Sequence, residues 1–222
     1  MRSKQSGFTL IEMLVVVVIM GVMAAIALPS FSQWIATRRV ANQAEQVLNL
    51  LRFARSEAIR LNQPVYVCNA QIKSDGKPDN YCNNTYEGQG MVAFADANHD
   101  SRFTLANGDR LLRTVVFNDA NSSDKVALNI TNLTAGDNEE AIQSTQFGFL
   151  PDGNVVRIGA AGNRLPLSGA VRITLSDAQT GLSDEQKATR SFVTLLEAGG
   201  RARMCSTRNE KDKESERCKP KV

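Results

Sequence analysis

Histidine is nearly absent: His99 is the only one in 222 residues, which leaves little for acid–base chemistry near neutral pH. The chain also lacks a Gly-x-Ser-x-Gly elbow, a glycine-rich phosphate loop and a His-Glu-x-x-His pair, so no hydrolase, nucleotide or zinc-protease site can be read from it. The expectation is a protein that is not an enzyme and holds no cofactor or metal. Charge of one sign is lacking as well. Lys and Arg number 26 against 23 Asp and Glu, a formal +3, too little for a nucleic-acid partner to follow from the total. Fifteen Gly, six Pro and no fixed-period repeat exclude collagen, solenoids and propellers. What the chain has is 42% hydrophobic residues at a length that buries one core.

The hydrophobic residues are unevenly spread. Met13 to Leu28 is an unbroken apolar run, and Phe8 to Leu28 holds a single charge, Glu12. As a helix rising about 1.5 Å per residue, this segment reaches the roughly 30 Å of a hydrocarbon core, which predicts a membrane span. A secretory signal peptide is the alternative; its apolar region is about 7–15 residues, and Ala25, Ala27 and Ser30 only loosely imitate its cleavage site. A carboxylate inside such a run is costly and is by default functional, although Glu12 could also snorkel to the headgroups. The short leader Met1 to Gly7 carries Arg2 and Lys4, and a cut after Gly7 would remove both charges and make Phe8 the terminus.

At Lys4-Gln5-Ser6-Gly7-Phe8-Thr9-Leu10-Ile11-Glu12, with Pro29 further on, the sequence resembles the type IV pilin superfamily of pilins, minor pilins and type II secretion pseudopilins. The resemblance implies that a prepilin peptidase cuts after Gly7 and methylates the amine of Phe8. It also implies that Glu12 pairs with the N-terminal amine of a neighbouring subunit during assembly. A cation and a carboxylate that meet only between subunits relieve each other's desolvation and set a register. The implied place is the bacterial inner membrane, crossed once with the globular domain in the periplasm, and then a pilus or pseudopilus. The implied partners are other pilins or pseudopilins.

Beyond the apolar run, Phe31, Trp34, Ala41, Ala44, Val47 or Leu48, Leu51, Ala54, Ala58 and Leu61 recur at spacings of three and four. This predicts one buried face on a helix from Phe8 to Asn62, bent at Pro29 and ended by Gln63-Pro64. Arg38, Arg39, Arg52, Arg55 and Arg60 fall mostly between those positions, toward solvent or neighbouring subunits. From Val65 the pattern changes to short β-branched runs at 65–68, 91–95, 111–117, 126–130, 145–150, 155–158, 171–175 and 192–196, separated by Asp-Gly, Asn-Gly and Ser-Gly turns. The fold class is α+β, with a long N-terminal transmembrane helix that continues into a soluble helix packed on an antiparallel sheet. The divisions are a leader at 1–7, a transmembrane and assembly segment at 8–28, an amphipathic helix at 29–62, a β-rich domain at 63–200 and a basic tail at 201–222.

Gln146 to Val155, around Pro151-Asp152-Gly153, and Phe94 to Asp100, leading to Gly108-Asp109-Arg110, are similar to elements of the GspH/FimT-like branch. Asp96-x-Asn98-x-Asp100 opens like a calcium loop but has Ser101 and Asn107 where such a loop wants Gly and Glu, so it reads as a polar turn. Four cysteines allow three pairings. In an oxidising compartment the sequential one, Cys68 with Cys82 and Cys205 with Cys218, is favoured, each closing a loop worth about 3 kcal/mol. The tail holds eight basic and four acidic residues, whereas 8–198 holds sixteen basic and nineteen acidic. Gly200-Arg201-Ala202-Arg203 resembles the Gly-Arg-x-Arg element of DNA-binding pilins in this branch. The resemblance implies that Arg201 and Arg203, helped by Arg208, grip the phosphates of double-stranded DNA without sequence preference. The other reading of the tail is a solvated or subunit-contacting loop.

Overall fold

The computed structural model describes residues 8–118, 125–140, 144–159, 162–205 and 215–221, without the side chains of 26–30. The leader with Gly7, the side chain of Pro29 with the bend expected there, and Arg208 lie outside the described residues. Helix α1 runs from Leu10 to Leu61 and ends one residue before Asn62, which takes a left-handed φ of 52° ahead of Pro64. Contacts divide the chain into two units, Met1–Arg38 and Arg39–Val222.

In the first unit the apolar side chains Phe8 to Met23 are exposed, as are Phe31 and Trp34. Those two rings were expected on the buried face. They instead stack on each other at 5.8 Å between centroids, with the Arg38 guanidinium 5.5 Å above Trp34. Among the described residues no helix is long and apolar enough to cross a membrane.

In the second unit the strands are β1 Val65–Asn69, β2 Gln71–Ile72, β3 Pro78–Asp79, β4 Gly90–Ala95, β5 Arg110–Val116, β6 Val126–Leu133 and β7 Glu139–Glu140. There follow β8 Phe147–Phe149, β9 Val155–Ile158, β10 Arg164–Pro166, β11 Ala170–Asp177, helix α2 Asp184–Thr189, β12 Phe192–Glu197 and β13 Ala202–Met204. They form two antiparallel sheets, ordered β10-β9-β8-β1-β4-β5 and β13-β12-β11-β6-β7, with β2 and β3 as a separate hairpin. All eight expected runs are strands. The apolar stripe of α1 from Val40 through Ala44, Val47, Leu51, Ala54 and Ala58 shares one core with Val67, Met91 and Phe149 of the first sheet and Ile130, Ile173 and Leu196 of the second.

Each sheet also has its outer face covered. On the first, Tyr66, Val92 and Phe94 form a second cluster under Tyr81 and Phe103, whose rings lie 4.2 Å apart. The Cys68–Cys82 disulfide ties that cover to β1. On the second, Arg172 is 4% exposed because the C-terminal segment lies over it: Arg172 pairs with Glu139 and donates from Nη1 to the Glu216 carbonyl at 3.2 Å. Cys205–Cys218 closes this cover. Both disulfides therefore follow the sequential pairing, and each closes a short loop.

Candidate functional site

Glu12 begins α1 and is not isolated. The Thr9 backbone N–H and Oγ1 each donate to Glu12 Oε2 at 3.0 Å, and the Glu12 N–H donates back to Thr9 Oγ1 at 3.3 Å. This reciprocal pattern is a capping box, which satisfies amides at a helix start that otherwise have no partner. Thr9-x-x-Glu12 is a legible signal for it, although the reading of Glu12 as an assembly residue passed it by. Phe8 beside it is 85% exposed. The head of the helix thus presents an apolar terminal residue and a carboxylate fixed in place by Thr9.

The Gly-Arg-x-Arg element belongs to the second sheet. Gly200 N–H donates to the Glu197 carbonyl at 2.8 Å, closing the β12–β13 hairpin, and Arg203 sits opposite Leu195. Gly200 is buried with φ +77°, and a Cβ there would lie 2.3 Å from the Gly153 carbonyl oxygen and 2.9 Å from Arg55 Nε. Gly153, in the Pro151-Asp152-Gly153 turn, has φ +83° and faces the same guanidinium, which a Cβ would meet at 3.4 Å. Two hairpin turns therefore close over Arg55, tied by Val155 N–H donating to the Ala198 carbonyl at 3.0 Å. Only glycine permits both the left-handed backbone and the approach.

Around this junction Arg52, Arg55, Ser56, Ile59 and Arg201 line an open groove of about 530 Å³. The four helix residues share one face of α1, at spacings of three and four. Arg52 and Arg201 are exposed, and neither guanidinium has an ion pair or hydrogen bond among the described residues. The Arg55 Nε is buried with no hydrogen-bond partner among the described residues. Arg55 was placed on the outward side of α1 in the sequence; its approach to residues 153 and 200 is tertiary, and no local signal reveals it.

Among the described residues, the other tail cations are engaged with the protein's own acids. Arg203 Nε lies 3.9 Å from Glu197 Oε1, Arg217 pairs with Asp137, Lys219 with Glu216 and Lys221 with Glu139. Lys221 and Arg172 together hold the Glu139 carboxyl below its ordinary range. Asp96, Asp100 and Asp109 also converge, with carboxylate oxygens within 4.8 Å of one another. Each already accepts hydrogen bonds from within the turn. Asp96 accepts from Ser101 N–H at 2.9 Å, Asp109 from Ala97 and Thr104 N–H at 2.9 and 2.7 Å, and Asp100 from Arg102 N–H at 2.7 Å. Arg164 adds a cation 3.5 Å from Asp96. His99, at φ 64°, is part of this turn.

The family model of type II transport protein GspH matches residues 43–199, ending just before the Gly-Arg-x-Arg element, and that of the prokaryotic N-terminal methylation motif matches residues 2–28. A type IV major fimbrial protein FimA of Dichelobacter nodosus is 52% identical over 40 residues, which are 18% of this chain and 26% of that protein. A fimbrial protein from the same organism is 29% identical over 142 residues, 59% of this chain and 78% of its own length. The chain spans about a quarter of the length of the FimA relatives it matches. The crystal structure of the type IV minor pilin FimU of Pseudomonas aeruginosa, 15% identical, aligns with a TM-score of 0.40 over 78% of this chain and 92% of its own. Matched at its N-terminal methylation motif and over most of its globular part, the chain belongs to the type II transport protein GspH family, within the type IV pilin superfamily.

Proposed function

We propose that this chain is a minor pilin or pseudopilin, cut after Gly7 and N-methylated on Phe8 by a prepilin peptidase, and held in the inner membrane by residues 8–28. Its globular part would face the periplasm until it is drawn into a type IV pilus or type II secretion pseudopilus. The observation that carries this reading is the head of α1, where Thr9 fixes the carboxylate of Glu12 one turn from the exposed Phe8, at the start of an apolar helix face that is exposed among the described residues. Such a face is covered only by lipid or by other subunits. A neighbour's methylated amine would take the Glu12 oxygens in place of Thr9, exchanging a neutral hydrogen bond for a charged one. The test is recovery of the chain in sheared filaments: wild type enters them, and Glu12→Ala remains in the membrane. Equal recovery of both contradicts the reading.

A second reading, capture of double-stranded DNA through Arg201, Arg203 and Arg208, is supported by the exposed guanidinium of Arg201, which has no ion pair or hydrogen bond among the described residues. Titrating the full-length protein with duplex DNA over a salt series tests it. Binding that weakens steeply with salt and is lost in Arg201→Ala with Arg203→Ala is expected, and absence of binding at low salt removes it.

A further inference from the structure

We infer that the groove between α1 and the β12–β13 turn is a carboxylate-binding site, in which Arg52, Arg55 and Arg201 receive an Asp or Glu side chain of a neighbouring filament subunit. The inference rests on the assembly reading and names a surface that this reading leaves open.

Three observations carry it. First, two elements far apart in sequence bring three guanidinium groups to one groove, lined by Arg52, Arg55 and Arg201, with no acid among its lining residues. Like charges gathered without a partner repel one another, so the arrangement is stabilised by an anion arriving from outside. Second, the Arg55 guanidinium packs against the turns that carry Gly153 and Gly200, its Nε without a hydrogen-bond partner among the described residues, and a planar guanidinium suits a carboxylate. Third, the groove is a point and not a track. Duplex DNA presents a charge about every 1.7 Å along its axis and is gripped by rows of cations. Among the described residues, the cations Arg203, Arg217, Lys219 and Lys221 of the C-terminal part face Glu197, Asp137, Glu216 and Glu139, and Arg60 faces Glu57 at 2.5 Å. On the groove's flank Ile59 is 54% exposed, an apolar wall that a hydrated phosphate chain does not need and that an apolar residue beside an acid would cover. A filament supplies such a segment at fixed distance and high local concentration.

The test uses the full-length chain in cells that assemble filaments, with p-benzoylphenylalanine at Ser56, an exposed position on the groove. Irradiated filaments are sheared, and the adduct is mapped by mass spectrometry. The expected adduct joins Ser56 to another pilin-family subunit at a peptide with an Asp or Glu beside an apolar residue. Arg52→Glu with Arg201→Glu should lower its yield at least about tenfold, as for loss of a close charge pair between proteins, while Lys187→Glu on α2 leaves it unchanged. Replacing the captured acid by Arg should restore the adduct to the charge-reversed chain, which also shows that the variant still folds. An adduct that ignores the charge reversal, a captured peptide without an acid, or no intersubunit adduct in filaments that contain the chain overturns the inference and leaves the assembly reading standing. Displacement of the adduct by added duplex DNA assigns the groove to phosphates and overturns it too. If the wild-type chain never enters filaments, the assembly reading fails and the inference falls with it.

Discussion

Glu12→Gln removes a charge and keeps a cap. At the third position of a capping box glutamine reaches back to the cap amide as glutamate does, so the contacts between residue 12 and Thr9, 3.0 Å from both donors, are preserved. The helix start should lose only a few tenths of a kcal/mol, against about 1 kcal/mol for removing a cap outright. If Glu12 instead serves as the partner of an amine in apolar surroundings, removing its charge leaves that amine buried alone, which costs about 3–5 kcal/mol, or a factor of about one hundred to several thousand. The two roles differ by an order of magnitude in energy. The assay compares wild type, Glu12→Gln and Thr9→Ala for cleavage, membrane level and recovery in sheared filaments. Glu12→Gln should be cut and inserted normally yet fall at least about a hundredfold in filaments, while Thr9→Ala should fall by less than about tenfold. Filaments carrying Glu12→Gln at the wild-type level would refute the charge-pairing argument, and a larger loss for Thr9→Ala would show that the cap is what matters.

Three further outcomes are expected. Gly200→Ala places a Cβ 2.3 Å from the Gly153 carbonyl oxygen at φ +77°; it should destabilise the globular part by about 2–4 kcal/mol, seen as a drop of several degrees in melting temperature, and an unchanged melt would contradict the packing described at Arg55. The Glu139 carboxyl is held below its ordinary value of 4.5 by Lys221 and Arg172. Because the shift is downward, its stabilisation is fully present above that ordinary value and is lost as pH falls through the lower folded one. Hydrogen exchange in 215–221 should therefore rise, relative to 126–133, as the pH falls below about 4.5; a rise at neutral pH instead would refute it. Cys205→Ser with Cys218→Ser opens a loop of sequence separation 13 and should cost about 3 kcal/mol. Limited proteolysis should then cut first within 206–214, and equal resistance in both forms would count against the staple.

How much of this was legible in the sequence depended on whether the signal was local. The end of α1 before Pro64 and the eight strands read from β-branched runs follow from periodicity and turn residues, and the sequential disulfides were the favoured one of three pairings. Strands β2, β3, β7, β10 and β13, of two or three residues, exist because a neighbour pairs with them and not because of their own propensity. Helix α2 was missed although Ser183 and Gln186 form a capping box, since six residues are too few for an apolar stripe to register. Phe31 and Trp34 were misplaced for a different reason. Periodicity identifies an apolar face and not what covers it, and in the single chain both rings remain exposed. The groove was out of reach because Arg55, Gly153 and Gly200 meet only once both sheets have folded on α1. The basic tail reads from composition as a charged loop, yet among the described residues Arg217 and Lys221 pair with Asp137 and Glu139, while Arg201 lines the groove with the helix arginines.

Intact-mass and N-terminal fragment analysis of the chain recovered from sheared filaments addresses the central claim most directly. The account predicts a mature chain beginning with N-methylated Phe8, lacking residues 1–7 and present in the filament fraction. A chain that keeps its leader, that starts near Ser30 as a cleaved secretory protein would, or that is missing from filaments while abundant in the cell would contradict it.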